Sequence, residues 1–320
     1  MRILPILAAA TLALSVAATA QLPLQRQARE VAAERAEREV SQEGATVTVT
    51  GRTKRMTTIL KTVLRPSGLD QLGRYEVPVC PGISGAPRGT ENTLLRLIRE
   101  NATANGVRLE KPGCKPNALA LFVTTPHDLI RGLKKRSPGY FGLIAAPDFE
   151  KLATNSSAIR SWHVIETNGR NGELLDDFGG MNGEASSGYA KVVRNAQATR
   201  VSENTRQDIL LGFAVVDTNA TVGKTLQQLA DVISMHLFLD LGQDAARSAG
   251  GNSILSLFEP REDGGVAPSG MSAFDQGVLK GTYALERNNY NAQFQRHRIA
   301  REIARKEARD AVAIPAEPED

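Results

Sequence analysis

Between Arg74 and Thr124 the chain switches from one hydrophobic rhythm to another and back. Arg74–Val79 and Leu119–Thr124 read as strands. Thr90–Asn105 between them reads as a helix, because Leu94, Leu95, Ile98 and Ala102 recur at three- and four-residue steps. Thr90 suits the N-cap, Glu91 the first turn, and Gly106 the C′ position. The apolar run LALFVT suits a strand covered on both faces. A right-handed crossover would make the two strands parallel.

The same rhythms continue on either side. Thr53–Arg65 is an amphipathic helix with Met56, Ile59, Leu60, Val63 and Leu64 on one face, ended by Pro66. Pro126–Lys135 and Asp148–Ala153 read as helices. Ile159–Thr167, Tyr189–Ser202 and Ile209–Asp217 read as strands, with the polar loop Asn168–Gly188 between the first two. Gly223–Leu241 is apolar around most of its circumference and is expected in the core. Asp231 stands about 200 degrees around that helix from Ile233 and need not share its burial. Met271–Tyr283 is a helix that Ser272 caps, with Asp275 as its capping-box partner. Before these elements come a charged helical stretch, Leu22–Val40, and an alternating strand, Ala45–Gly51. After them come a basic helix, Asn291–Arg309, and an acidic tail, Ala311–Asp320. The pattern predicts an α/β or α+β fold: one mixed-sheet domain over 45–290 with packed helices, a leader at 21–44 and charged segments at 291–320.

Composition changes this picture at the N-terminus. Arg2, an apolar run to Val16 and the small residues Ala18 and Ala20 make residues 1–20 an export signal, cleaved before Gln21. No later run is long and apolar enough to be read as a membrane span. The expected location is the periplasm or the exterior. Cys80 and Cys114 are the only cysteines, and in an exported chain they are expected to form a disulfide. A net charge of +4 with a single Trp supports no nucleic-acid role.

Candidate chemistry is sparse. Gly223-Lys224-Thr225 follows a strand and opens a helix, but Thr218 stands where a phosphate loop needs glycine. His127, His163, His236 and His297 include no pair four residues apart, so no HExxH zinc helix is present, and there is no GxSxG elbow. No metal or cofactor is expected. His163, Asp231 and His236 are kept as polar candidates.

The segments QLADVISMHLFLDLGQDA, SILSLF and MSAFDQGVLKGTYA, with VCPGISG, PGCKPNALALFV and TRQDILLGFAVVD, resemble a group of uncharacterised exported proteins of alphaproteobacteria. The order of buried helix, SI-x-x-LF and FD-x-x-x-LK-x-x-Y also resembles the C-terminal half of zinc-metallopeptidase-like domains, without the zinc motif. The resemblance implies a family and no established activity. Two functional classes follow. The first, preferred because no catalytic constellation is visible, is a non-enzymatic binding or envelope-accessory factor. The second is a metallopeptidase-like hydrolase, active or degenerate.

Overall fold

The computed structural model describes residues 51–67, 69–177, 191–193, 202–260, 265–286 and 288–313. The description below concerns the unit Thr53–Asp320. The expected signal, the charged leader, the strand Ala45–Gly51 apart from Gly51, and the acidic tail beyond residue 313 lie outside the described residues.

In chain order the elements are α1 (51–63), β1 (Pro81–Ser84), α2 (Glu91–Ala104), β2 (Ala118–Val123), α3 (Pro126–Arg136), α4 (Ala146–Thr154), β3 (Ile159–Gly169), β4 (Asp176–Asp177), β5 (Lys191–Val192), β6 (Thr205–Asp217), α5 (Leu226–Phe238), α6 (Ala245–Ala249), α7 (Ala273–Tyr283) and α8 (Ala292–Ala313). A mixed four-stranded sheet has the order β1-β2-β6-β3. β1, β2 and β6 run parallel, and the edge strand β3 runs antiparallel to β6. β4 and β5 form a separate two-stranded ribbon inside the stretch read as a polar loop and a further strand.

Alternation along the strands sends side chains to two cores. On β2, Ala118, Ala120 and Phe122 face the larger core with α2 and α5, while Leu119, Leu121 and Val123 face a smaller one. The smaller core is aromatic. Trp162 stacks between Phe141 and Phe213 at centroid distances of 4.9 and 4.8 Å, and Phe149 meets Phe141 edge-on at 5.4 Å. Lys134 Nζ stands over the Phe141 ring at 5.3 Å.

The first strand differs from expectation. It begins at Pro81, after the cysteine, and Arg74–Val79 touches the sheet only through the single bridge of Arg74 to Asp208, while Val79 bridges Leu109 outside it. Pro78 can donate no ladder hydrogen bond. Arg74 also turns inward, and its Nη1 donates to the carbonyls of Thr282 and Leu285 at 3.1 and 2.6 Å. Cys80 therefore immediately precedes β1 and Cys114 stands four residues before the parallel strand β2, at the same end of the unit. They form the disulfide, with Cα atoms 6.0 Å apart. Leu95, read as part of the inner face of α2, is only partly buried, whereas Leu94, Ile98 and Ala102 are buried.

The basic segment read as a charged end is packed along one arc. Gly277 and Gly281 on α7 face Ile303 and Ile299 on α8. A Cβ at either glycine would lie 2.8 or 3.0 Å from the isoleucine Cα. Missing side chains let the two helix axes approach. A joint of uncharged amides secures the start of α8. Gln295 accepts from Leu72 N at 2.7 Å and donates to Asn288 at 3.0 Å, and Asn288 donates to Gln207 O at 2.8 Å.

Candidate functional site

One group of buried polar side chains lies where α5 crosses β3 and β6. On β3, Trp162 and Val164 point toward the aromatic core, so Ser161 and His163 point toward α5. His163 pairs in register with Gly212 of β6. A Cβ at Gly212 would lie 2.3 Å from Tyr75 Oη, 3.0 Å from His163 Cδ2 and 3.1 Å from Leu237 O. Glycine at this position is what makes room for the imidazole and the phenol. One residue beyond His163, between Val164 and Ile165, the ladder shifts register, and β6 places the extra residue Leu210 outward.

α5 ends inside the protein. Its last carbonyls have no intrahelical donors, and Leu239 continues in an extended conformation rather than through a glycine cap. Side chains supply the missing donors. His163 Nε2 donates to Leu237 O at 3.0 Å, and Tyr283 Oη donates to Phe238 O at 2.9 Å. A carbonyl only accepts, so Nε2 carries a proton. His163 Nδ1 makes no hydrogen bond and stands 3.8 Å from Asp240 Oδ1. Asp240 binds Arg65, with Nη2 to Oδ1 at 2.9 Å, while Arg65 N donates to Asp240 O at 2.9 Å. Burial acts to raise the Asp240 pKa, but His163 and the Arg65 guanidinium outweigh it and hold the carboxyl below its usual range. The charge of Asp240 in turn raises the Arg65 pKa.

His236 lies one turn before Asp240, and its Nδ1 is 2.8 Å from Ser161 Oγ. Burial, aided by the nearby His163, pushes its pKa down to about 4. The Tyr75 and Tyr283 phenols are pushed up, chiefly by burial. At neutral pH the layer thus holds a neutral His236 and two neutral phenols beside a buried Asp240 paired with the exposed Arg65.

The structure brings His163 and His236 into this layer and separates Asp231 from it. Asp231 faces α2. It is 3% exposed and accepts from Asn101 Nδ2 at 2.8 Å, Gln227 Nε2 at 2.7 Å and Met271 N at 2.9 Å. The expectation that it need not share the burial of Ile233 is corrected here. Neighbours on α2 and the segment before α7 cover that side of α5 as well. Asp275 closes the expected capping box with Ser272, and it also accepts from Ser253 Oγ and Ile254 N. Burial raises its pKa, against those hydrogen bonds.

Sequence reasoning missed Arg65, Tyr75, Ser161 and Tyr283, which come from just after α1, the segment before β1, β3 and α7 and meet only through tertiary packing. Asp240 had a signal, its position four residues after His236. Among the described residues no group of three or more His, Cys, Asp or Glu is placed to hold a metal ion. A groove of about 620 Å³ lies on the outer face of α2, lined by Leu95, Arg96, Arg99, Thr103 and Leu109 among others, and takes none of its lining from the α5–β3 layer. Comparison with family models, curated proteins and solved structures finds no match for this chain.

Proposed function

We propose that this chain is an exported, non-enzymatic binding or envelope-accessory protein, and that its internal polar residues serve its architecture. One observation carries the reading. The side chains best suited to chemistry are engaged in closing helix ends and joining elements: His163 caps α5, His236 holds β3, and Asp231 ties α5 to α2. The disulfide supports an oxidising compartment. No helix among the described residues is long and apolar enough to cross a membrane.

The test is elemental analysis of protein purified from the envelope of the producing cell, with N-terminal sequencing of the same sample. The expected result is a chain beginning at Gln21, no stoichiometric zinc, and lower melting temperatures in His163→Ala and His236→Ala. Stoichiometric zinc that disappears in His236→Ala would overturn the non-enzymatic half and restore the metallopeptidase-like reading. A chain still beginning at Met1 would overturn the export half.

A further inference from the structure

α8 sorts its residues sharply by charge. Ile299, Ala300 and Ile303 are fully buried, with Ile299 and Ile303 against α7. At 100 degrees per residue, His297, Arg298, Arg301, Arg305 and Arg309 fall on one arc of about 120 degrees on the opposite side. All five are exposed. The carboxylates of this helix sit off that arc. Glu302 flanks it, 3.5 Å from Arg305, and Asp310 pairs with Lys306 at 2.8 Å. Among the described residues no carboxylate lies within ion-pair distance of Arg298, Arg301 or Arg309. The guanidinium row from Arg298 to Arg309 is about 16 Å long.

We propose that this row is a docking surface for the anionic headgroups of a lipid leaflet. Arginine meets phosphate through two parallel hydrogen bonds, so a straight row of guanidiniums suits an array of phosphates. One turn before Arg298 on the same arc, the Phe294 ring packs at a tilt against Tyr290 with centroids 4.7 Å apart. Both rings are partly exposed, and an aromatic with a polar tip suits the headgroup level. The apolar arc of α8 is held by Gly277 and Gly281 of α7, so the helix cannot roll it into the acyl region as free amphipathic helices do. Contact therefore stays electrostatic and salt-sensitive. The row itself follows from the fold. The choice of lipid over nucleic acid rests on the export reading above, because an exported chain leaves the compartment that holds nucleic acid.

The test is co-sedimentation of the full chain with phosphatidylcholine vesicles, with and without phosphatidylglycerol. Binding is expected only with phosphatidylglycerol, and about 0.5 M salt is expected to abolish it. Arg298→Gln with Arg301→Gln should lower the partition coefficient about 25-fold, roughly fivefold per arginine, with the melting temperature unchanged. Lys54→Gln with Arg55→Gln removes the same charge from α1 and should leave partition within about twofold of the parent. Equal losses in the two double variants would show that net charge binds and the row does not, which overturns the proposal. So would equal binding to uncharged vesicles, or retention on DNA without any binding to phosphatidylglycerol. Because the vesicle assay does not depend on export, the row can fail while the export reading stands, and the reverse.

Discussion

At residue scale, Gly212 has little freedom to change. Alanine there would set a methyl group against the Tyr75 hydroxyl, the His163 ring and the Leu237 carbonyl, and the last of these is backbone. Gly212→Ala is expected to destabilise by about 1–3 kcal/mol. Gly139→Ala, with open space around the new methyl, should stay within about 0.5 kcal/mol. Chemical denaturation of both variants decides it, and a tolerated Gly212→Ala would mean that His163 and Tyr75 can move aside. His236 gives this layer a pH signature. Its folded pKa, about 4, lies below its unfolded value near 6.5. The unfolded chain therefore takes up the proton first as pH falls, and stability drops between about pH 6.5 and 4, by an amount on the order of 1–3 kcal/mol. Asp240 acts in a lower window. Its depressed pKa gives stability that is present above the unfolded carboxylate value and is lost as pH falls through the folded one. Asp275, raised by burial, runs the other way and becomes less unfavourable as it protonates. Thermal melts from pH 7 to 4.5 should flatten in His236→Asn, which can still bond Ser161. A slope identical to that of the parent would assign the dependence elsewhere.

At element scale, α5 shows both what periodicity states and what it leaves out. Its apolar surface marks a buried helix, and Thr225 with Gln228 forms a capping box at the residues where the spacing T-x-x-Q allows one. Periodicity does not say which polar residue on such a helix finds donors. Asp231 does, on α2 and at Met271, and those partners lie 130 and 40 residues away in the chain. Asp231→Ala strips an acceptor from three donors, including a backbone N–H, and should cost about 1–3 kcal/mol. Ile233→Asp, which buries a carboxylate in an apolar core, should cost more. Thermal unfolding of the two variants beside the parent ranks them, and an inverted order would place Asp231 ahead of the core contact. The same limit explains the polar layer. His163 reaches Leu237 across 74 residues and Ser161 reaches His236 across 75, separations set by how α5 packs on β3 and by no local pattern. β4, two residues inside the stretch read as a polar loop, is missed for that reason, whereas its partner β5 falls within the strand read over Tyr189–Ser202. The α7–α8 contact was readable, since Gly277 and Gly281 stand four apart on a helix whose other inward residues are large.

At the scale of the whole molecule, the disulfide ties the β1-α2-β2 unit at the end where both strands begin. Its loop of 34 residues corresponds to roughly 3–4 kcal/mol in the chain-entropy picture. Non-reducing peptide mapping should recover Cys80 and Cys114 in one linked pair. Cys80→Ser with Cys114→Ser should then lower the melting temperature by about 5–10 °C. Two free thiols in envelope-derived protein, or an unchanged melt, would remove the bridge from the account of stability.

The contacts that close the fold join widely separated parts of the chain. Arg65 meets Asp240 across 175 residues, Leu72 meets Gln295 across 223, and Arg296 meets Leu64 across 232. None of these contacts can form until the later partner has been synthesised. At roughly 5–20 residues per second, the N-terminal side waits on the order of 10–50 s for its partners to emerge. Long-range closure of this kind also slows folding itself. For that interval the segment before residue 73 keeps the backbone and side-chain groups of Leu64, Arg65 and Leu72 without their native partners.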